Sequence, residues 1–452
     1  MSRSVFGRVA VLAAFLVLVC VALVTEQVRA EPVAIDAASP TGAAAGAAKQ
    51  PQEVTDALTR FKNGDFDGAL TLLQSAKKKY PDLPPARVIM AQLFAAAKQP
   101  AAVQSSLQQA VIEDPTDPEA YLILGDLDMR EKHVAEAALL YARAASLAEA
   151  IKGSSKRKDI LAQRSAAGQA SAAQATGDWA GARKHLEAWL KLDPSSAAAL
   201  HRLGQVLFQE GKADEALAKF KAAAKDNKTL LTPEASLAQL YEQAGDRENA
   251  AKWMIAALTA APKDLATRLV AAQWSLETDQ IDQAKEQAAL AMKLDPSSLQ
   301  AKLLRGVVAL FAKDYKSAEM YFESAHLQSP SNFAASNNLA LALCEQDDEA
   351  KKRRALEYAQ VNARQYPKQA EAASTYGWVL YKLGKIDEAE RALRTAAQRG
   401  NLSADTAYYI ARVSADRGRK DEAKQLLEQA LKSKRLFSER SAAEALLEEL
   451  NK

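Results

Sequence analysis

The chain has 452 residues, with 59 basic and 56 acidic side chains and only 6% aromatic residues. Its abundance of Ala, Leu, Lys, Glu and Gln, all strong helix formers, argues against a β-rich fold and points to an all-α chain. With Arg3, Arg8, Arg29 and Glu26 set aside as part of an N-terminal leader, 56 basic residues face 55 acidic ones. So neutral a body lacks the basic excess of a nucleic-acid binder or of a membrane-surface helix.

In chain order, Arg3 and Arg8 make a positive start, an apolar run extends from Val9 to Val24, and Val28-Arg29-Ala30 offers small residues for signal peptidase. The run holds 16 residues, short of the about 20 that a bilayer-spanning helix needs. Residues 1–30 are therefore expected to be a removed signal, with an uncleaved anchor as the alternative. Either way the chain is exported, to the periplasm or to the inner membrane facing it. Cys20 follows Leu18-Val19 rather than the small residue that lipid attachment requires, and counts as an apolar leader residue. Residues 31–50 are rich in Ala, with Gly, Pro and Ser and without an aromatic, and are expected to form a flexible linker. Cys344 is then the only cysteine of the mature chain, so no internal disulfide is expected.

From residue 51 on, the sequence repeats itself. A small residue recurs at Ala69, Val103, Ala137, Ala182, Ala216, Ala250, Ala284, Ala318, Ala355, Ala389 and Ala423, spaced by 34 residues except for one step of 45 and one of 37. Twelve residues earlier stands another small residue, as in Gly125, Gly204, Gly306 and Gly377, and seven residues later an alanine, as in Ala76, Ala223 and Ala430. Small residues at these intervals let antiparallel helices approach closely. Proline supports helices on both sides, since it clashes inside one: Pro81, Pro115, Pro194, Pro262, Pro296, Pro330 and Pro367 fall at unit boundaries, while Pro84, Pro85, Pro118 and Pro233 fall in the first turn of the following helix. Gly64, Gly177, Gly211, Gly245, Gly384 and Gly418 occupy the turn within each pair, where a left-handed residue ends the first helix.

A 34-residue period with this helix–turn–helix anatomy resembles the tetratricopeptide repeat family over nearly the whole mature chain, in about eleven units. Residues 197–230 carry the pattern well in Leu200, Leu203, Gly204, Leu207, Gly211, Ala216, Phe220 and Ala223; the units at 50–83 and 163–196 are more degenerate. The resemblance implies a solenoid over residues 51–437, wound as a right-handed superhelix whose first helix in each pair lines a concave groove. Ser438 to Leu450 reads as one amphipathic capping helix, with Ser441 and Glu444 as a capping box; it belongs to a final segment, 438–452. The 45-residue step inserts about eleven residues around Ile151 to Arg164, lengthening the flanking helices, and carries Lys152, Lys156, Arg157 and Lys158, read as a solvated turn. The 37-residue step, at Glu345 to Arg354, reads as an exposed turn whose acidic and basic runs neutralise each other.

No catalytic constellation interrupts the repeat. His133, His185, His201 and His326 lie in different units without metal-site spacing, and are expected on exposed helix faces. No phosphate-cradling glycine loop and no strand–turn–helix serine motif is present, so neither cofactor nor metal is expected. For binding, the positions one, four, five, eight and eleven places after each unit start should face the groove. On that register Gln205, Gln239 and Gln273 form a ladder of amides suited to an extended peptide backbone, or else are simply soluble helix formers. Further on the same register gives Asn337, Asn338, Trp378, Tyr381, Tyr408 and Arg412, rich in the residue types that dominate interfaces; the alternative is that Trp378 or Tyr409 packs between helices. Asn338 matches the groove asparagine of peptide-binding members of the family. The family's basic and amide clamp for a terminal carboxylate is not met in three successive units. The function expected is an interaction scaffold for envelope proteins or peptides during assembly or export of surface structures; a noncatalytic enzyme subunit and a self-assembling structural protein are the alternatives.

Overall fold

The computed structural model describes residues 51–151, 155–227, 229–399, 402–433 and 436–452. The expected leader and linker, residues 1–50, and Lys152 lie outside them. Among the described residues there are 23 helices and no strand. They follow one another as hairpins: α1 (Gln52–Lys62) and α2 (Phe66–Lys79), α3 (Ala86–Ala96) and α4 (Pro100–Glu113), α5 (Pro118–Glu131) and α6 (Val134–Ala150), α7 (Ser155–Thr176) and α8 (Trp179–Leu192), α9 (Ala197–Gln209) and α10 (Ala213–Asp226), α11 (Pro233–Gln243) and α12 (Arg247–Ala260). Then come α13 (Leu265–Glu277) and α14 (Ile281–Leu294), α15 (Leu299–Phe311) and α16 (Tyr315–Gln328), α17 (Phe333–Cys344) and α18 (Glu349–Gln365), α19 (Ala370–Lys382) and α20 (Ile386–Gln398), α21 (Ala404–Asp416) and α22 (Lys420–Leu431), and a last helix α23 (Arg440–Asn451). Two compact units divide the chain, one ending at Met254 and the other beginning at Ile255, with the boundary inside α12.

The helices begin where the sequence supplies acceptors for their free N–H groups. Asp65, Asp178, Ser196, Asp264, Ser298, Asp314, Asn332 and Ser403 each accept from an N–H of the first turn. Pro118 and Pro233 open α5 and α11, where their missing N–H costs nothing. The recurring alanine is fully buried in every unit that has it.

The small residue twelve places earlier does something more specific than bringing backbones together. Gly204, Gly306 and Gly125 each lie under a ring of the paired helix: a Cβ there would stand 2.6 Å from Phe220, 2.5 Å from Phe322 and 2.8 Å from Tyr141. Each ring is four residues after its unit's recurring alanine, and the glycine is its seat. The intra-hairpin turns are left-handed at all six expected glycines, with φ between 74° and 83°. Lys98, Lys132, Asp279 and Lys313 hold the same conformation one or two 34-residue steps away, with φ of 56° to 67°. Those four turns keep the repeat's backbone without its glycine.

Both irregular steps depart from their expected character. α6 and α7 run to 17 and 22 residues, so the flanking helices do lengthen, but Arg157 is not solvated. It is 6% exposed and donates to Asp117 at 2.7 Å and Glu119 at 3.2 Å, because α7 folds back over α5. Lys156 is exposed, and Lys158 donates to the Glu149 carbonyl. At the 37-residue step Lys352 does pair with Asp347 and Glu349. Its neighbours instead reach across to α16, Lys351 to Glu319 at 2.6 Å and Arg354 to Glu323.

Of the histidines, His201 is buried against the Phe220 ring, 5.0 Å between centroids, and desolvation lowers its pKa to about 4. His133 is exposed beside Asp128 and Glu131, 3.7 Å from each. Cys344 is a free, buried thiol. α23 starts at Arg440, not Ser438, and no side chain caps it. Its hydrophobic face, Ala443, Leu446 and Leu450, closes the core that runs back through α21 and α22. Among the described residues no helix is long and apolar enough to cross a membrane.

Candidate partner-binding groove

In the C-terminal unit the first helices of successive hairpins, α15, α17, α19 and α21, line a cavity of about 90 Å³, well above the about 10–15 Å³ that one water requires. Its apolar floor comes from Val307, Leu310 and Phe311 of α15 and from Ala334 and Leu341 of α17. Asn338 of α17, Glu371, Ser374 and Thr375 of α19, and Asp405, Thr406 and Tyr409 of α21 supply the polar wall. Most of these are the positions one, four, five, eight and eleven of their units. Of the residues that the register singled out, only Asn338 is among those lining the cavity.

Of the expected contacts, Asn338 lines the cavity. Trp378 does not: it is 4% exposed, stacked between Tyr381 at 5.0 Å and Tyr409 at 4.2 Å, with interplanar angles of 16° and 13°. Its indole N–H donates to Glu345 at 2.6 Å, and Glu345 also pairs with Lys382 at 2.8 Å. Tyr408 is buried as well, 8% exposed, against Trp378 and Phe437. Tyr381 donates to Asp416 at 2.7 Å and accepts from Arg412 at 3.0 Å, while Arg412 pairs with Asp416 at 2.9 Å. These aromatic residues are brought together, but as core between hairpins α19–α20 and α21–α22, because offset-stacked rings gain more from each other than from water. Asn337 is 5% exposed, with its carbonyl oxygen buried and unpartnered; it too offers no surface.

The amide ladder divides between the units. Gln205 and Gln239, in the N-terminal unit, are half-buried and make no side-chain hydrogen bond among the described residues. Gln273 belongs to the other unit and bonds Glu277 of its own helix at 2.8 Å.

Reasoning from sequence missed Ser374, Thr375 and Asp405, and with them four residues from the connection between α22 and α23. After α22 the chain crosses this face. Leu436 packs on the cluster containing Leu304 and Val308, Phe437 is buried beside Tyr408, and the Ser438 hydroxyl donates to Asp405 at 2.7 Å. The Lys313 ammonium donates to the Ser438 carbonyl at 3.0 Å and to the Glu439 carboxylate at 2.7 Å. Register could have found the first three, since Ser374, Thr375 and Asp405 stand at groove positions. Nothing local marks the last four.

Successive helical hairpins, most of them 34 residues apart, with a cavity on the first-helix face of the C-terminal unit define a helical repeat protein. Models of the tetratricopeptide repeat match residues 60–127, 168–229, 235–269 and 375–448. The chain belongs to the tetratricopeptide repeat family, and as a member it is a protein–protein interaction scaffold. Comparison with curated protein sequences finds no match. Among solved structures it is similar to the Cut9–Hcn1 hetero-tetramer of the APC/C, at 13% identity over 95% of either chain with a TM-score of 0.42. Yeast Tom70 is similar at 14% identity over 88% of this chain and 95% of that one, TM-score 0.37. A tetratricopeptide repeat protein from Parabacteroides merdae is similar at 15% identity over 64% and 99%, TM-score 0.35.

Proposed function

We propose that this scaffold works in the cell envelope, without a catalytic step of its own, by holding an extended segment of a partner protein on the C-terminal groove during assembly or export of surface structures. The observation that carries the groove assignment is the cavity itself: four successive first helices contribute an apolar floor and a polar wall that includes the Asn338 amide and the Glu371 and Asp405 carboxylates, the combination that grips side chains while offering hydrogen bonds to a backbone. The envelope assignment is supported by the Arg3 and Arg8 start, the apolar run and the small residues before Glu31. The near-neutral body favours protein partners over nucleic acid.

A photoreactive residue placed at the half-buried Asn338 on the cavity wall, with one at the exposed Lys156 for comparison, tests the groove in intact cells. Capture of the same partner at Asn338 alone is expected. Capture only at Lys156, or at neither, overturns the assignment. A phosphatase reporter fused after residue 50 tests the address, and inactivity of the reporter in the envelope overturns that part.

A further inference from the structure

The C-terminal groove is partly filled by the chain itself. Leu436, Phe437, Ser438 and Glu439 lie between α22 and α23 without regular secondary structure; Leu436 and Ser438 line the cavity, and Phe437 and Glu439 are anchored beside it. Leu436 lies on the apolar floor, Phe437 against Tyr408, the Ser438 hydroxyl on Asp405, and the Ser438 carbonyl and Glu439 carboxylate on Lys313. Lys313 is 125 residues distant from Ser438, so the turn at Ser438 and Glu439 is received by a part of the unit remote in sequence. The segment leaves about 90 Å³ open beside it, bounded by Asn338, Ser374, Thr375 and Thr406. The groove is thus made for more chain than Leu436–Glu439 provides.

We propose that Leu436–Glu439 is the resident occupant of the groove, and that it yields to a partner's extended segment of the same chemistry: an apolar and an aromatic side chain followed by a hydroxyl and a carboxylate. The proposal rests on the groove assignment above and adds what the groove selects and what regulates access to it. Lys313 selects the acidic residue, Asp405 the hydroxyl and the Tyr408 side the aromatic ring. The partner's segment fills the open space as well, which the resident one does not. A tethered occupant acts at a high effective concentration, so it lowers the apparent affinity of any competitor by the fraction of time the groove is closed.

The test uses the full-length chain and, as probe, a fluorescein-labelled synthetic peptide of residues 432–442, with binding read by anisotropy. Phe437→Ala with Ser438→Ala removes the resident side chains, Phe437 from the core beside Tyr408 and Ser438 from the cavity lining, and is expected to bind the peptide at least tenfold tighter than the unsubstituted chain. Adding Asp405→Ala should cancel that gain. Should the double variant fail to fold by circular dichroism, Glu439→Lys sets two cations face to face at Lys313, leaves the core intact and is expected to give at least a fivefold gain. Equal affinity in all chains, or binding in none, overturns the resident-occupant inference, and does so alone if crosslinking from Asn338 still captures a partner. A concentration-dependent dimer of the unsubstituted chain in light scattering also overturns it, by making a second copy the occupant.

Discussion

The Ser438 hydroxyl donates to the Asp405 carboxylate at 2.7 Å, joining the segment before the last helix to the first turn of α21. Burial raises the Asp405 pKa to about 6; nearby Glu439 pushes the same way, and the Ser438 hydrogen bond and Lys313 oppose. The folded protein therefore holds a proton on Asp405 between pH of about 4 and 6 that the unfolded chain releases. Stability from this group is greatest below pH 4, falls as pH rises through 6, and stays low above it. Asp405→Asn keeps an acceptor for Ser438 and cannot ionise. It should stabilise the C-terminal unit by on the order of 2 kcal/mol at pH 7.5 and by almost nothing at pH 4, as read by urea unfolding at the two pH values. A gap that does not change with pH would contradict the buried titration.

His201 carries the opposite sign. Its folded pKa, lowered to about 4 by desolvation, means that the unfolded chain binds the extra proton between pH of about 4 and 6.5. The stability it contributes is present above 6.5 and is lost as pH falls through that window. His201→Phe should remove part of the acid sensitivity of the N-terminal unit in pH-jump unfolding, while Asp405→Asn should not touch it.

Gly306 is occupied ground: an added Cβ would lie 2.5 Å from the Phe322 ring. Gly306→Ala should cost about 1–3 kcal/mol by overpacking, and Phe322→Leu in the same chain should return part of the loss, the two substitutions coupling in a double-mutant cycle. Gly384 has open space around it but a φ of 74°. Gly384→Ala should cost about 1 kcal/mol through the backbone alone, with no partner able to rescue it.

Lys132 holds a φ of 67° where other units have glycine. Lys132→Gly should raise stability by about 0.5–1 kcal/mol, since the left-handed strain of a branched backbone is relieved by more than the added chain entropy costs. A melting temperature that falls instead would mean the lysine side chain contributes something its exposure hides.

Arg157→Ala would leave the buried Asp117 without its paired cation and Glu119 with Arg164 alone, 3.7 Å away, and should destabilise the N-terminal unit by about 3 kcal/mol. Combining Arg157→Met with Asp117→Asn and Glu119→Gln should recover much of that loss in the same thermal melt. If Arg157→Ala alone proves mild, water reaches the two carboxylates more freely than their burial implies.

The sequence by itself determined the units. Periodicity at 34 residues, prolines at boundaries and alanines at fixed intervals are local signals, because each hairpin packs chiefly on its neighbours and needs the same small residues at the same places. It gave the register of the first helices for the same reason: register follows from helical geometry. What it did not decide is which side chains on those helices stay free. Trp378 and Tyr408 stand at groove positions, yet Tyr381, Tyr409 and Phe437 cover them, and size and aromaticity, which made them attractive as contacts, made them better as core. Arg157 reads as one of a solvated cluster until α7 places it over Asp117 and Glu119. The tertiary structure alone set Ser438 against Asp405 and Lys313, since a contact spanning 125 residues leaves no periodic trace and arises only when successive hairpins bring the two ends of the unit's groove to one segment.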